Sequence, residues 1–101
     1  MLTVGLLLRI EAKPDQAEEV EAMLKSAVDH VRHETATVVW FAFRLGPTTF
    51  GVFDASVDEA NRQAHLDANS GALSGELAAR LFAESPSVEK VDVIAAKLPA
   101  A

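Results

Sequence analysis

The chain has no cysteine, which excludes disulfides, thiolate-held zinc or iron–sulfur clusters and thiol nucleophiles together. It is also poor in positive charge. Nine Lys and Arg stand against fifteen Asp and Glu, for a formal net charge of −6. No Lys/Arg cluster occurs. A nucleic-acid binder needs a basic stripe to neutralise phosphates, so that class is set aside. Long hydrophobic runs are missing too. Near the N-terminus the longest is Leu6-Leu7-Leu8, too short for a membrane span or a signal-peptide core, and no basic stretch precedes it. The expectation is a soluble cytoplasmic protein without a membrane partner. No Gly-rich phosphate loop, Ser nucleophile motif or dinucleotide fingerprint is present. Internal repeats, linkers and low-complexity segments are absent as well.

What is present is a chain of 101 residues, half of them hydrophobic. That is one domain over residues 1–101, with enough apolar matter for a single core and too much for a disordered chain. Its centre is the stretch Thr37–Asp54, two strands folded back at Gly46-Pro47. The first of these strands is apolar on both parities: Val39, Phe41, Phe43 and Leu45 on one side, Val38, Trp40 and Ala42 on the other, with Arg44 at the end. A strand with one wet face alternates apolar with polar. Both faces of this sheet therefore need covering, and a second copy of the chain is the simplest cover for the face that its own helices do not reach.

The rest reads in order. Leu2–Ala12 is a first strand, with Leu2, Val4, Leu6, Leu8 and Ile10 on one parity; Gly5 inside it marks a close approach to the backbone, a bulge or tight packing. Pro14 opens a helix to about His33, its apolar stripe running through Ala17, Val20, Leu24, Ala27, Val28 and Val31. After the hairpin, Ser56 and Glu59 fit a capping box and start a helix from Asp58 to about Ala68. Asn69-Ser70-Gly71 breaks the pattern, and Leu73, Leu77 and Leu81 then mark a further helix over Gly71–Ala83, weakened by Gly75. Ser85-Pro86-Ser87 is a turn, Val88–Leu98 the last strand, and Pro99-Ala100-Ala101 a tail. The order β-α-β-β-α-β is the ferredoxin-like α+β fold: a four-stranded antiparallel sheet with helices on one face. Two such sheets packed face to face make a dimeric α+β barrel, so a homodimer is expected.

The order, the length and the run T-V-V-W-F-A-F-R … T-F-G-V-F-D-A-S-V-D-E-A-N-R-Q-A-H-L resemble the antibiotic biosynthesis monooxygenase (ABM) domain family. The ending E-S-P-S-V-E-K-V-D-V-I resembles its last strand. In that family an aromatic residue stands mid-strand before the hairpin and a His follows on the next helix; Trp40 and His65 match these positions. The resemblance implies a cofactor-independent monooxygenase acting on a quinol or polyhydroxylated aromatic, with no metal and no other cofactor. It also leaves open an isomerase or a non-catalytic small-molecule-binding module. Haem-degrading members resemble the chain less. They carry an Asn on the first strand, absent here, and a Trp near the end of the third, where this chain has Phe53. Family enzymes often use a Tyr as donor, and this chain has no Tyr.

Within that frame His65 is the candidate catalytic base or hydrogen-bond donor near neutral pH; the alternative is an exposed helix His without a role. Trp40, Arg44, Arg9 and Phe53 are the candidate substrate-binding residues. Trp40 supplies a pocket wall with an N–H donor, or packs in the core or the dimer. Arg44 and Arg9 hold an anionic oxygen, or pair with Asp54, Asp92 or Glu89. His30 and His33, three apart beside Glu34, have a metal-ligand spacing without an evident third ligand. Both also suit a helix C-terminus, where the dipole favours positive charge. Asp58-Glu59 reads as helix N-terminal charge.

Overall fold

A computed structural model describes residues 1–99, so Ala100 and Ala101 of the expected tail lie outside the described residues. The elements are β1 (Val4–Glu11), α1 (Ala17–Val31), β2 (Val39–Arg44), β3 (Thr49–Ser56), α2 (Glu59–Ser74), α3 (Glu76–Leu81) and β4 (Ser87–Asp92). The strands form one four-stranded sheet in the order β2-β3-β1-β4, every pair antiparallel. This is the ferredoxin-like α+β fold.

The register assigns the faces. Leu6 lies opposite Asp54, Leu8 opposite Val52 and Ile10 opposite Phe50, while Trp40 and Ala42 face Asp54 and Val52 from the other side. These even-numbered residues meet the helices. Ile10, Phe50 and Val52 form the core with Val20 and Leu24 of α1 and Leu81 of α3. Burying each such side chain contributes roughly 1.5–3 kcal/mol. The odd-numbered residues Leu7, Phe41, Phe43 and Phe53 therefore share the face that carries no helix. Periodicity alone could not say which parity this was.

Several boundaries differ from the sequence reading, each for a local reason. Pro14 lies in a turn closed by the Gln16 N–H to the Lys13 carbonyl, so α1 begins at Ala17 rather than Pro14. Ser56 does not cap α2. It ends β3, paired with Val4 and fully buried, and Asp58 caps instead, accepting from the Asn61 N–H at 2.9 Å. Asn69-Ser70-Gly71 does not break the helix. Ser70 and Ser74 donate to the carbonyls of Asp67 and Ser70, and Asn69 to that of His65, so these polar side chains find partners within the helix. The break comes at Gly75, whose backbone is extended. The last strand stops at Asp92, short of Leu98, although the Val93 N–H still reaches the Thr3 carbonyl.

Gly5 is a place of tight packing. A Cβ there would sit 2.6 Å from the Asp54 backbone oxygen and 3.2 Å from both Phe53 and Val91. Gly5→Ala is expected to cost about 1–3 kcal/mol, because a carbonyl fixed in the sheet cannot give way. Urea denaturation measures this directly, and an unchanged midpoint would contradict the steric argument.

Candidate functional site

His65 sits on α2 with its side chain turned into the sheet, and it is 5% exposed rather than a surface residue. Its Nε2 lies 3.1 Å from Asp54 Oδ2 on β3, and its Nδ1 2.5 Å from Glu34 Oε2 on the loop after α1. Asn69, one turn along α2, donates to the other Glu34 oxygen at 3.1 Å, and Thr37 donates to Oε2 at 3.2 Å. A neutral imidazole carries one N–H, whereas each of these nitrogens faces a carboxylate and needs one. The arrangement therefore selects the imidazolium. Burial pushes the pKa of His65 down, but the hydrogen bonds and charges of Asp54 and Glu34 outweigh it and raise the group above its ordinary value. Burial also pushes Glu34 up; its bonds to His65 and Asn69 win, and its carboxyl is held below the usual range. An imidazolium has no lone pair left to accept a proton. In that state both nitrogens donate, and His65 ties Asp54 to Glu34.

Beside this network is a cavity of about 90 Å³ between the sheet and the helices. Leu6, Leu8, Val52 and Trp40 wall it, and Asp54, His65 and Asn69 form its polar end. It adjoins a wider groove of about 700 Å³ between α1 and α2, with which it shares Met23, Ala27, Asn69 and Ala72. Apolar walls with a few convergent polar groups are the usual form of a small-molecule site.

Of the sequence-predicted site residues, only His65 and Trp40 line this cavity. Arg44 lies at the far end of β2. It donates to the Gly46 and Pro47 carbonyls at 3.1 and 2.6 Å, reaches Glu21 at 3.4 Å and stands 5.1 Å from the centre of the Phe50 ring. It shares a surface hollow with Trp40, and His65 does not line that hollow. Its partner is Glu21 rather than Asp54, Asp92 or Glu89. Arg9 and Phe53 are on the helix-free face, across the sheet from the cavity. Among the described residues no group of three or more His, Asp or Glu is placed to hold a metal ion; His30 lines the outer groove and His33 is exposed.

Asp54, Glu34 and Asn69 were missed as site residues. Asp54 had a signal: it continues the parity of Phe50 and Val52, so a carboxylate there is inward and needs a partner. Asn69 stands four residues after His65, on the same helix face. Glu34 follows the end of a helix, where no period marks it. Arg62, three residues before His65, was missed too. It is buried, donates to the Gly5 and Val91 carbonyls at 3.2 and 3.0 Å and pairs with Glu59, tying α2 to the sheet.

No family model matches the chain, and no curated protein does. Solved structures do. An antibiotic biosynthesis monooxygenase superposes with a TM-score of 0.70 at 16% identity, over 91% of this chain and 99% of that one. A Nitrosomonas europaea protein provisionally named an antibiotic biosynthesis monooxygenase superposes with a TM-score of 0.78 at 14% identity, over 91% of this chain and 90% of that one. At these identities the likeness shows the fold. The NE2512 protein of unknown function from Nitrosomonas europaea is 45% identical, with a TM-score of 0.91, over 100% of this chain and 98% of that one. The chain therefore belongs to the family of the NE2512 protein, a family with the antibiotic biosynthesis monooxygenase fold.

Proposed function

We propose that the chain binds a small hydroxylated aromatic in the cavity between sheet and helices and oxygenates it without a cofactor, as a quinol-type monooxygenase. One observation carries this: an apolar cavity walled by Trp40 and closed at one end by the buried Asp54–His65–Glu34 network. The fold shared with proteins named antibiotic biosynthesis monooxygenases supports the reaction class. A phenol or quinol is itself the reductant. In a phenol one oxygen atom of O₂ enters the ring as a second carbonyl, and the other leaves as water with the phenolic and ring hydrogens; a quinol likewise gives a hydroxyquinone, the entering oxygen becoming its hydroxyl, and water. The protein need supply only a dry, oriented pocket. Size limits the substrate. A cavity that admits benzene is on the order of 150 Å³, so a single ring fits here only if it also takes up space at the groove side.

The same reading includes a homodimer through the helix-free face. Phe41 is 58% exposed there, and Phe43 and Leu7 are each 38% exposed on the same face. An apolar patch of this kind on a small domain marks an interface.

A second reading, a non-catalytic binding module, is favoured by the engagement of both His65 nitrogens. O₂ consumption with a panel of quinols separates the two. The expected result is uptake above autoxidation that falls at least tenfold in His65→Ala. Binding without uptake goes to the second reading, and product formed without O₂ goes to an isomerase.

A further inference from the structure

Asp54 is 4% exposed, and only one of its oxygens is used. Oδ2 holds His65; Oδ1 is buried with no hydrogen-bond partner among the described residues. A carboxylate oxygen out of water without a donor is costly, and proteins rarely leave one so. Asp54 lines the apolar cavity, between Leu6 of β1 and Trp40 of β2. His65 faces it from α2. Arg62 of α2 pairs with Glu59 and gives its Nη1 to two carbonyls, and its Nε is likewise buried without a partner among the described residues. Glu34 pairs with the other His65 nitrogen from outside the cavity, so the network sets two carboxylates against one imidazolium, an excess of negative charge.

We infer that Asp54 Oδ1 is the acceptor for a hydroxyl of the ligand, and that the cavity selects neutral aromatics bearing an O–H donor over isosteric hydrocarbons and over anions. This rests on the cavity being the ligand site, as proposed above. His65 is then a positioning residue: it fixes which Asp54 oxygen is free. During oxygenation the ring O–H bond breaks, the proton passes to Oδ1, and the electron pair stays on the ring oxygen until it passes to O₂.

Phenol and toluene have nearly the same shape and differ by the donor, and toluene is the more hydrophobic. Titrations followed at the Trp40 indole N–H by NMR, without O₂, read binding apart from turnover. Wild-type protein is expected to bind phenol at least tenfold more tightly than toluene and benzoate more weakly than phenol. In Asp54→Asn the amide oxygen takes the His65 N–H and turns its NH₂ toward the ligand; the phenol O–H loses its anionic acceptor and can only accept there, so the preference for phenol over toluene should fall while toluene binding stays. Toluene equal to phenol in the wild type overturns the inference, whether or not Asp54→Asn folds. So does an undiminished phenol preference in a folded Asp54→Asn. Binding of neither ring overturns the cavity reading and this inference with it. Phenol binding without O₂ uptake overturns only the oxygenase reading.

Discussion

Phe41→Asp is expected to turn a stable dimer into a folded monomer. Phe41 projects from β2 onto the helix-free face, and its ring is more exposed than that of Phe43 on the same strand. In a twofold pairing each substitution occurs in both copies, so the interface receives two charges without partners. An uncompensated buried charge costs about 3–5 kcal/mol. A single one raises Kd on the order of 10³-fold. The monomer itself loses little, because Phe41 supports no core contact with the helices; the poor strand propensity of Asp costs it up to about 1 kcal/mol. Sedimentation equilibrium at low micromolar concentration should give the wild type at twice the 10.8 kDa chain mass and the variant at the chain mass, with unchanged far-UV circular dichroism. A wild type that sediments as a folded monomer would overturn the homodimer. An unfolded variant would mean that the ring packs within its own chain.

The face proposed for pairing follows from register. Which elements form was legible in the apolar pattern: the doubly apolar β2 announced a strand with two apolar faces, and the stripe of α1 announced one helix-covered face. Which parity met the helices was not, because Phe41 and Trp40 are neighbours of similar hydrophobicity. Only the pairing of Trp40 with Asp54 and of Asp54 with Leu6 decides it. Helix ends were read less well where polar side chains serve their own backbone. Asn69, Ser70 and Ser74 look like a turn in sequence yet bond back along α2. The candidate site was half legible. His65 and Trp40 stand out by residue type. The partners that fix the state of His65 come from a strand end and a loop 31 residues away in sequence, a separation that no local period reveals. Arg9 and Phe53 stand on the two central strands near the cavity, and a β-strand sends alternate residues to opposite faces. One residue of parity therefore separates them from the cavity.

His65→Leu should destabilise the fold at pH 6 by about 3–5 kcal/mol, because it leaves Asp54 and Glu34 inside with no counter-charge. The loss should depend on pH with a definite sign. The pKa of His65 is raised in the folded chain above its ordinary 6.5. Its contribution is therefore fully present below about pH 6.5 and is lost as pH rises through the folded value. Glu34 is shifted the other way, below its ordinary 4.5. Its contribution is present above about pH 4.5 and is lost as pH falls through its folded value. The two windows overlap between these ordinary values, and there the network stabilises most. Urea denaturation at one fixed protein concentration, needed because a dimer's midpoint depends on it, should show the wild type weakening from pH 6 to pH 9. The gap to His65→Leu should narrow over the same range, since deprotonation takes from the wild type what the substitution has already taken from the variant. Parallel curves for the two proteins would mean that the ring is not held as an imidazolium. NMR provides an independent check: the imidazole carbon shifts of His65 should titrate above pH 6.5 in the wild type and move to lower pH in Glu34→Gln, which removes one of the two charges that raise it.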